Sequence, residues 1–261
     1  MDYRIPRSWL ALLASALLFS LPAHAGKITI AAAADLKFAL DDVVAAYRQA
    51  HQGDEIDVVY GSSGKFHTQV QQGAPYDLYF SADIAFPRQL AEAGSAGSPV
   101  VPYAFGRIVL WSATLDASAL RLEDLATDKR IRHVAIANPK HAPYGMRAVE
   151  ALQATKQYQA VESKLVYGEN IAHTAQFVDS GNAEVGIIAL ALALNPELSA
   201  KGGYWLIPQE LHEPLEQGFI VTRRAANNDL AHSFAAYMSS PTARAVMTRY
   251  GFVLPELTAA Q

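Results

Sequence analysis

No cysteine occurs among the 261 residues. That absence excludes disulfides, thiolate nucleophiles, iron–sulfur clusters and every cysteine-ligated zinc site. It also leaves no thiol near the N-terminus to accept a lipid. Charge of one sign is scarce as well: 21 Lys and Arg stand against 25 Asp and Glu, for a formal net charge of −4. Binding a phosphate backbone needs a clustered basic surface, so nucleic acid is not an expected partner. Among the histidines beyond residue 25 (His51, His67, His133, His141, His173, His212 and His232) no pair has the His-x3-His spacing, which argues against a metal site. Long apolar runs are missing after residue 25. The longest, Val185 to Leu194, stops at Asn195-Pro196, short of the about 18 residues that mark a membrane helix.

Apolar residues make up 51% of the chain and are not spread evenly. Arg4 and Arg7 precede the run Trp9 to Leu21, and Ala23 and Ala25 occupy small-residue positions just after it. That order predicts a secretory signal peptide over residues 1–25 with cleavage after Ala25. Without it the net charge is −5. The remainder is expected to be exported to the periplasm and, lacking cysteine, free of a lipid anchor.

Beyond Lys27 short apolar runs alternate with amphipathic stretches. Ile28-Thr29-Ile30 reads as a strand, and Leu36, Leu40, Val43, Val44 and Tyr47 share one helical face. Ile56 to Tyr60 is a second strand, Gly61-Ser62-Ser63-Gly64 a tight turn, and Phe66 with Val70 a short helix that Gly73 closes. Leu78 to Phe80, Arg107 to Trp111, His133 to Ile136 and Lys164 to Tyr167 are further strand-sized runs, with 94–102 a loop between them. This alternation predicts an α/β fold with mostly parallel sheets, whose ligand sites lie beyond the carboxyl ends of the strands. The length suits two such sheets, and the expected crossings between them lie near Phe105-Gly106 and Glu216-Gln217-Gly218. No internal repeat is visible.

Four strand-to-helix junctions carry small or capping residues: Ala34-Asp35, Ser62-Ser63-Gly64, Ala142 to Gly145, and Glu169-Asn170-Ile171. A helix start offers unpaired amide donors and about half a positive charge, so several converging starts make an anion site without Lys or Arg. Each junction alone is an ordinary cap or turn; the four together carry the argument. Enzymatic patterns fail on spacing. A P-loop ending at Gly64-Lys65 needs glycine at Val59 and Ser or Thr at Phe66, and Gly-Ser-Ser-Gly is not a nucleophile elbow. An exported hydrolase using Ser63 finds no oriented base in His67 or Lys65.

Through "AAAADLKFAL" (31–40), "YGSSGKFHTQVQQGAPYDLYFSAD" (60–83), "YAFGRIVLWSA" (103–113), "IANPKHAPYGMRAVEAL" (136–152) and "VGIIALA" (185–191), the chain resembles the periplasmic molybdate-binding proteins of ABC transporters. The resemblance spans nearly everything after residue 25. It implies a two-lobed periplasmic binding protein fold of type II, with lobe 1 formed by 26–105 plus 218–261, lobe 2 by 106–217, and the ligand in the cleft. It further implies a monomeric, non-enzymatic receptor without cofactor that captures molybdate or tungstate and delivers it to a membrane permease. A receptor of the same fold for phosphate or sulfate is the alternative. The family's oxyanion contacts map onto Ala34, Asp35, Ser63, Tyr144 and Ile171, with Ser63 donating hydroxyl and amide and the others mainly amides. Some members add a tyrosine hydroxyl where Ala189 stands here. Asp35 replaces a Ser or Asn donor; its expected orientation is away from the ligand, capping the helix through the Lys37 or Phe38 amide, and the alternative is a carboxylate in the pocket that accepts a hydrogen bond from a protonated oxyanion such as hydrogen phosphate.

Overall fold

The computed structural model describes residues 26–256; the signal sequence expected over 1–25 lies outside them. In chain order the elements are β1 (Lys27–Ala33), α1 (Lys37–Ala50), β2 (Glu55–Gly61), α2 (Ser63–Gln71), β3 (Leu78–Ser81), α3 (Ala85–Glu92), β4 (Val101–Gly106), β5 (Ile108–Ser112), α4 (Asp124–Thr127), β6 (Val134–Ala137), α5 (Pro143–Ala154), α6 (Tyr158–Val161), β7 (Leu165–Gly168), α7 (Ile171–Asp179), β8 (Val185–Ala189), α8 (Leu190–Ala193), α9 (Pro196–Lys201), β9 (Gly203–Leu206), β10 (Leu215–Val221), α10 (Asp229–Tyr237) and α11 (Pro241–Arg249). A 3-10 turn over Ala34–Leu36 joins β1 to α1.

Two five-stranded sheets result, ordered β2-β1-β3-β10-β4 and β7-β6-β8-β5-β9. In each, the first three strands run parallel, the fourth runs antiparallel to them and the last antiparallel to the fourth, so both sheets are mixed, with four of their five strands pointing the same way. Of the antiparallel pairs, β5 reads as a strand from its apolar run, while β4 and β9 leave little strand signal. β4 begins inside the stretch read as a loop, and it tolerates Pro102 because it is an edge strand that need not donate on both sides. β9, the other edge, is largely exposed. β10 shifts register between Gln217 and Gly218 where it pairs with β4.

Both faces of the first sheet are covered. Ile28 and Ile30 meet Leu36, Leu40, Val43 and Tyr47 of the α1 face, with Phe80, Phe219 and Phe234 completing the cluster. Ala31, Tyr79 and Ile220 point the other way, onto Phe66, Val70 and Leu90. This two-sided burial is why the parallel strands read as continuous apolar runs. The second sheet builds its own cluster around Trp111, Val134, Ile136, Leu152 and Ile187. The chain passes from first sheet to second at Arg107 and returns over 207–214, and Leu215 pairs with Gly106, so the two crossings lie side by side.

Candidate functional site

Ala34, Asp35, Ser63, Tyr144 and Ile171 all line one small cavity, about 10 Å³ of space open to the centre of a water molecule. Each arrives on a helix start at the carboxyl end of a strand: β1 runs into the turn bearing Ala34 and Asp35, β2 into α2, β6 through a short loop into α5, and β7 into α7. No Lys, Arg or His lines the cavity.

The helix starts are left open in a telling way. Neither Ala33, Leu36, Ser62 nor Ala142 makes a side-chain cap, whereas Asn195, Asn228 and Ser240 cap α9, α10 and α11 elsewhere. First-turn amides have no partner inside their own helix, so Ser63, Tyr144 and Ile171 present theirs at the cavity. Pro143 at the first position of α5 has no N–H to satisfy. At α7 the Asn170 side chain accepts from His173 N and spares the Ile171 amide. Gly145 is required by packing: a methyl group there would overlap the Ala137 carbonyl oxygen.

Ser63 Oγ accepts from the Ala82 amide at 3.0 Å, so its one proton is available to the cavity. Ser62 turns instead to the loop between β6 and α5, with Oγ 2.8 Å from His141 Nδ1 and also bonded to the His141 carbonyl. The Gly64 amide bonds that same carbonyl at 2.9 Å. Lys65 and Glu169 add an exposed ion pair at 2.8 Å. Burial, with Lys65 nearby, lowers the His141 pKa, so the ring is neutral at neutral pH.

The expected cap at Asp35 is not formed. Its side chain is 1% exposed and takes part in a polar network that sequence reading missed. Tyr144 Oη donates to Oδ2 at 2.9 Å, and Gln217 Nε2 donates to the same oxygen at 2.8 Å. Gln217 is held in turn by Tyr103, whose hydroxyl donates to Oε1 at 2.6 Å. Oδ1 has no hydrogen-bond partner. Burial pushes the Asp35 carboxyl up to about 6, against the opposing pull of Gln217, Tyr144 and the amides of residues 35 and 36. Burial and the Asp35 charge raise Tyr144 and Tyr103 well above the usual phenol value, so both remain neutral donors. Gln217 lies 182 residues from Asp35, and its only sequence signal was its place at a crossing. Ala189 is fully buried at the end of β8 and is not part of the cavity lining.

This cavity offers amide and hydroxyl donors, one carboxyl and no cation. It suits a compact anion of a few heavy atoms, not a sugar or peptide. Ser63 has no general base bonded to its hydroxyl.

The family model for bacterial extracellular solute-binding proteins matches residues 28–253. The chain is 35% identical to the molybdate-binding protein ModA of Rhodobacter capsulatus, over 90% of this chain and 91% of that one. It is 33% identical to the ModA of Azotobacter vinelandii, over 91% and 94% respectively. A solved structure of an Azotobacter vinelandii periplasmic molybdate-binding protein superposes with a TM-score of 0.81 at 28% identity, covering 88% of this chain and all of that one. With a fold, a cavity built of helix starts and a family match over residues 28–253 in agreement, the chain belongs to the bacterial extracellular solute-binding proteins, in the family of the molybdate-binding proteins.

Proposed function

We propose that this protein captures molybdate, and tungstate equally, in the cavity between its two sheets and delivers the anion to an ABC transporter permease. The observation that carries the reading is the convergence of uncapped helix starts on a cavity without cations. Molybdate carries no proton at neutral pH, so it is served by donors alone. The contacts are the amides of Ala34 or Asp35, Tyr144 and Ile171, and the amide and hydroxyl of Ser63. Hydrogen bonds to a charged group contribute about 1.5–3 kcal/mol each. About five to seven of them, less desolvation and closure costs, give a dissociation constant between nanomolar and micromolar.

In this reading lobe 1 comprises 26–105 with 218–261, lobe 2 comprises 106–217, and the lobes hinge where β4 and β10 pair. The links from Ser62 and Gly64 to His141 and from Lys65 to Glu169 hold the closed form. The protein acts as an exported monomer, released by cleavage after Ala25, without lipid anchor, cofactor or enzymatic activity. No described helix is long and apolar enough to cross a membrane, in keeping with a receptor that meets its permease by surface contact. Titration calorimetry with molybdate, tungstate, sulfate and phosphate tests the assignment. Molybdate and tungstate should bind alike and at least tenfold more tightly than sulfate, which is smaller; tighter binding of phosphate or sulfate overturns it.

A further inference from the structure

We propose that the Asp35 carboxyl is a protonatable member of the binding site: it takes up one proton as a tetrahedral dianion enters the cavity and presents that proton, through Oδ1, to a ligand oxygen. The inference rests on the oxyanion reading above and assigns a chemical role to the one residue that reading leaves unexplained.

The orientation of the network decides where the proton goes. Tyr103 donates to Gln217, Gln217 donates to Asp35, and Tyr144 donates to Asp35. Oδ2 therefore accepts two hydrogen bonds and Oδ1 makes none of good geometry, so a proton on the carboxyl belongs on Oδ1, although the nearby amides of residues 35 and 36 favour the ionised form. Asp35 is buried and lines the cavity, so an ionised carboxylate there repels an entering dianion with little screening. The titratable groups facing it are Tyr144 from α5 and Tyr103 from β4, both neutral. Tyr79 of β3, on the far side of Ser63, is neutral too. Among the described residues no Lys, Arg or His is paired with Asp35; Lys65 and Glu169 at the rim neutralise each other, and the nearby His141 is held neutral.

Protonation removes the repulsion and turns an unused acceptor into a donor. The proton comes from solvent, the Oδ1–H bond forms, and no bond of the anion breaks. The raised carboxyl pKa places the ligand-free group within reach of this change near neutrality, and a dianion alongside raises it further, as two acidic groups sharing one proton do. The site thereby favours anions that arrive without a hydrogen. An anion that carries its own, such as hydrogen phosphate, donates to ionised Oδ1 and needs no uptake.

The experiment is calorimetric titration of the purified protein with sodium molybdate at several pH values, in paired buffers of different ionisation enthalpy. The expected result is uptake of close to one proton per molybdate at pH 7.5–8, shrinking toward zero near pH 5, with the dissociation constant rising up to about tenfold per pH unit above about pH 6. Asp35→Asn should abolish the uptake and flatten the pH dependence; the wild-type buffer comparison stands without that variant. Molybdate binding with no proton uptake and no pH dependence overturns the inference and leaves the oxyanion reading intact. Absence of molybdate binding at every pH overturns both. Preferred binding of phosphate without proton uptake, strongest where hydrogen phosphate predominates, overturns both in favour of a ligand-borne proton.

Discussion

In the first sheet the parallel trio β2-β1-β3 is followed by antiparallel β10 and edge strand β4; in the second, β7-β6-β8 is followed by antiparallel β5 and edge strand β9. The centre and edge strands of each trio, β1 with β2 and β6 with β7, lead into the helix starts that meet at the cavity. Backbone geometry is thus supplied twice, once from each side. The side-chain chemistry is not. The first sheet contributes the Ser63 hydroxyl, the Asp35 carboxyl and, through β10, Gln217. The second contributes exposed amides of α5 and α7 and one phenol, Tyr144, which reaches across to Asp35. On the proposed function, the difference would let anion affinity rest on the repeated architecture and selectivity on the few side chains that mostly one side supplies.

Glycine substitutions break the comparison most severely. Gly145→Ala drives a methyl group into the Ala137 carbonyl within the second sheet's own unit. Overpacking of this kind costs about 1–3 kcal/mol or more, so we expect a clear fall in Tm together with lost molybdate binding. In Gly64→Ala the added carbon lies 2.8 Å from the His141 carbonyl, across the cleft. Here Tm should stay nearly unchanged while the molybdate dissociation constant rises about tenfold or more, because the substitution obstructs closure rather than folding. Equal thermal losses in the two variants, measured by scanning calorimetry, refute that distinction.

Asp35 tests the one-sidedness directly. Its folded pKa of about 6 exceeds the ordinary 3.8, so the folded state binds more protons between those values and stability falls as pH rises through them. Relative to Asp35→Asn, the ligand-free wild type should be equally stable or better near pH 4 and about 2–3 kcal/mol less stable above pH 7. Urea midpoints at both pH values check this, and a gap that does not change with pH contradicts it. Ser63→Ala removes a hydroxyl donor and should weaken molybdate binding by about 1.5–3 kcal/mol, roughly ten- to hundredfold. Since Ser63 Oγ also accepts from Ala82 N, a modest fall in Tm should accompany it. The smallest effect belongs to Lys65→Met. The Lys65–Glu169 pair is exposed, and such pairs contribute less than about 1 kcal/mol, so binding should change by less than about fivefold, and less still at high salt.

Legibility followed burial and range. The α1 face from Leu36 to Tyr47 and five of the six strands of the parallel trios could be located from local apolar pattern; β8, within the run Val185 to Leu194, was not read as a strand. The edge strands β4 and β9 were missed because Pro102 and Gly203 argue against strand on local grounds. The shared plan of the sheets left no visible repeat, because equivalent positions need only match in geometry: Ser63 and Ile171 both begin helices with unrelated side chains. The cap expected at Asp35 failed for a related reason, while the alternative that placed its carboxylate in the pocket agrees with the cavity lining. A carboxylate at a helix start caps by default, and only two distant donors, Tyr144 and Gln217, draw it elsewhere.

By itself the sequence determined the α/β character, the lack of cysteine and so of thiol chemistry, and the positions of four helix starts, since composition and short-range periodicity carry all of these. Tertiary structure decided that the four starts point at one cavity, that the sheets are mixed, and that Asp35 is buried with one oxygen saturated and the other unpaired. Those outcomes depend on contacts between residues more than a hundred positions apart, and burial and hydrogen bonding at that range arise only once both sheets have formed and met.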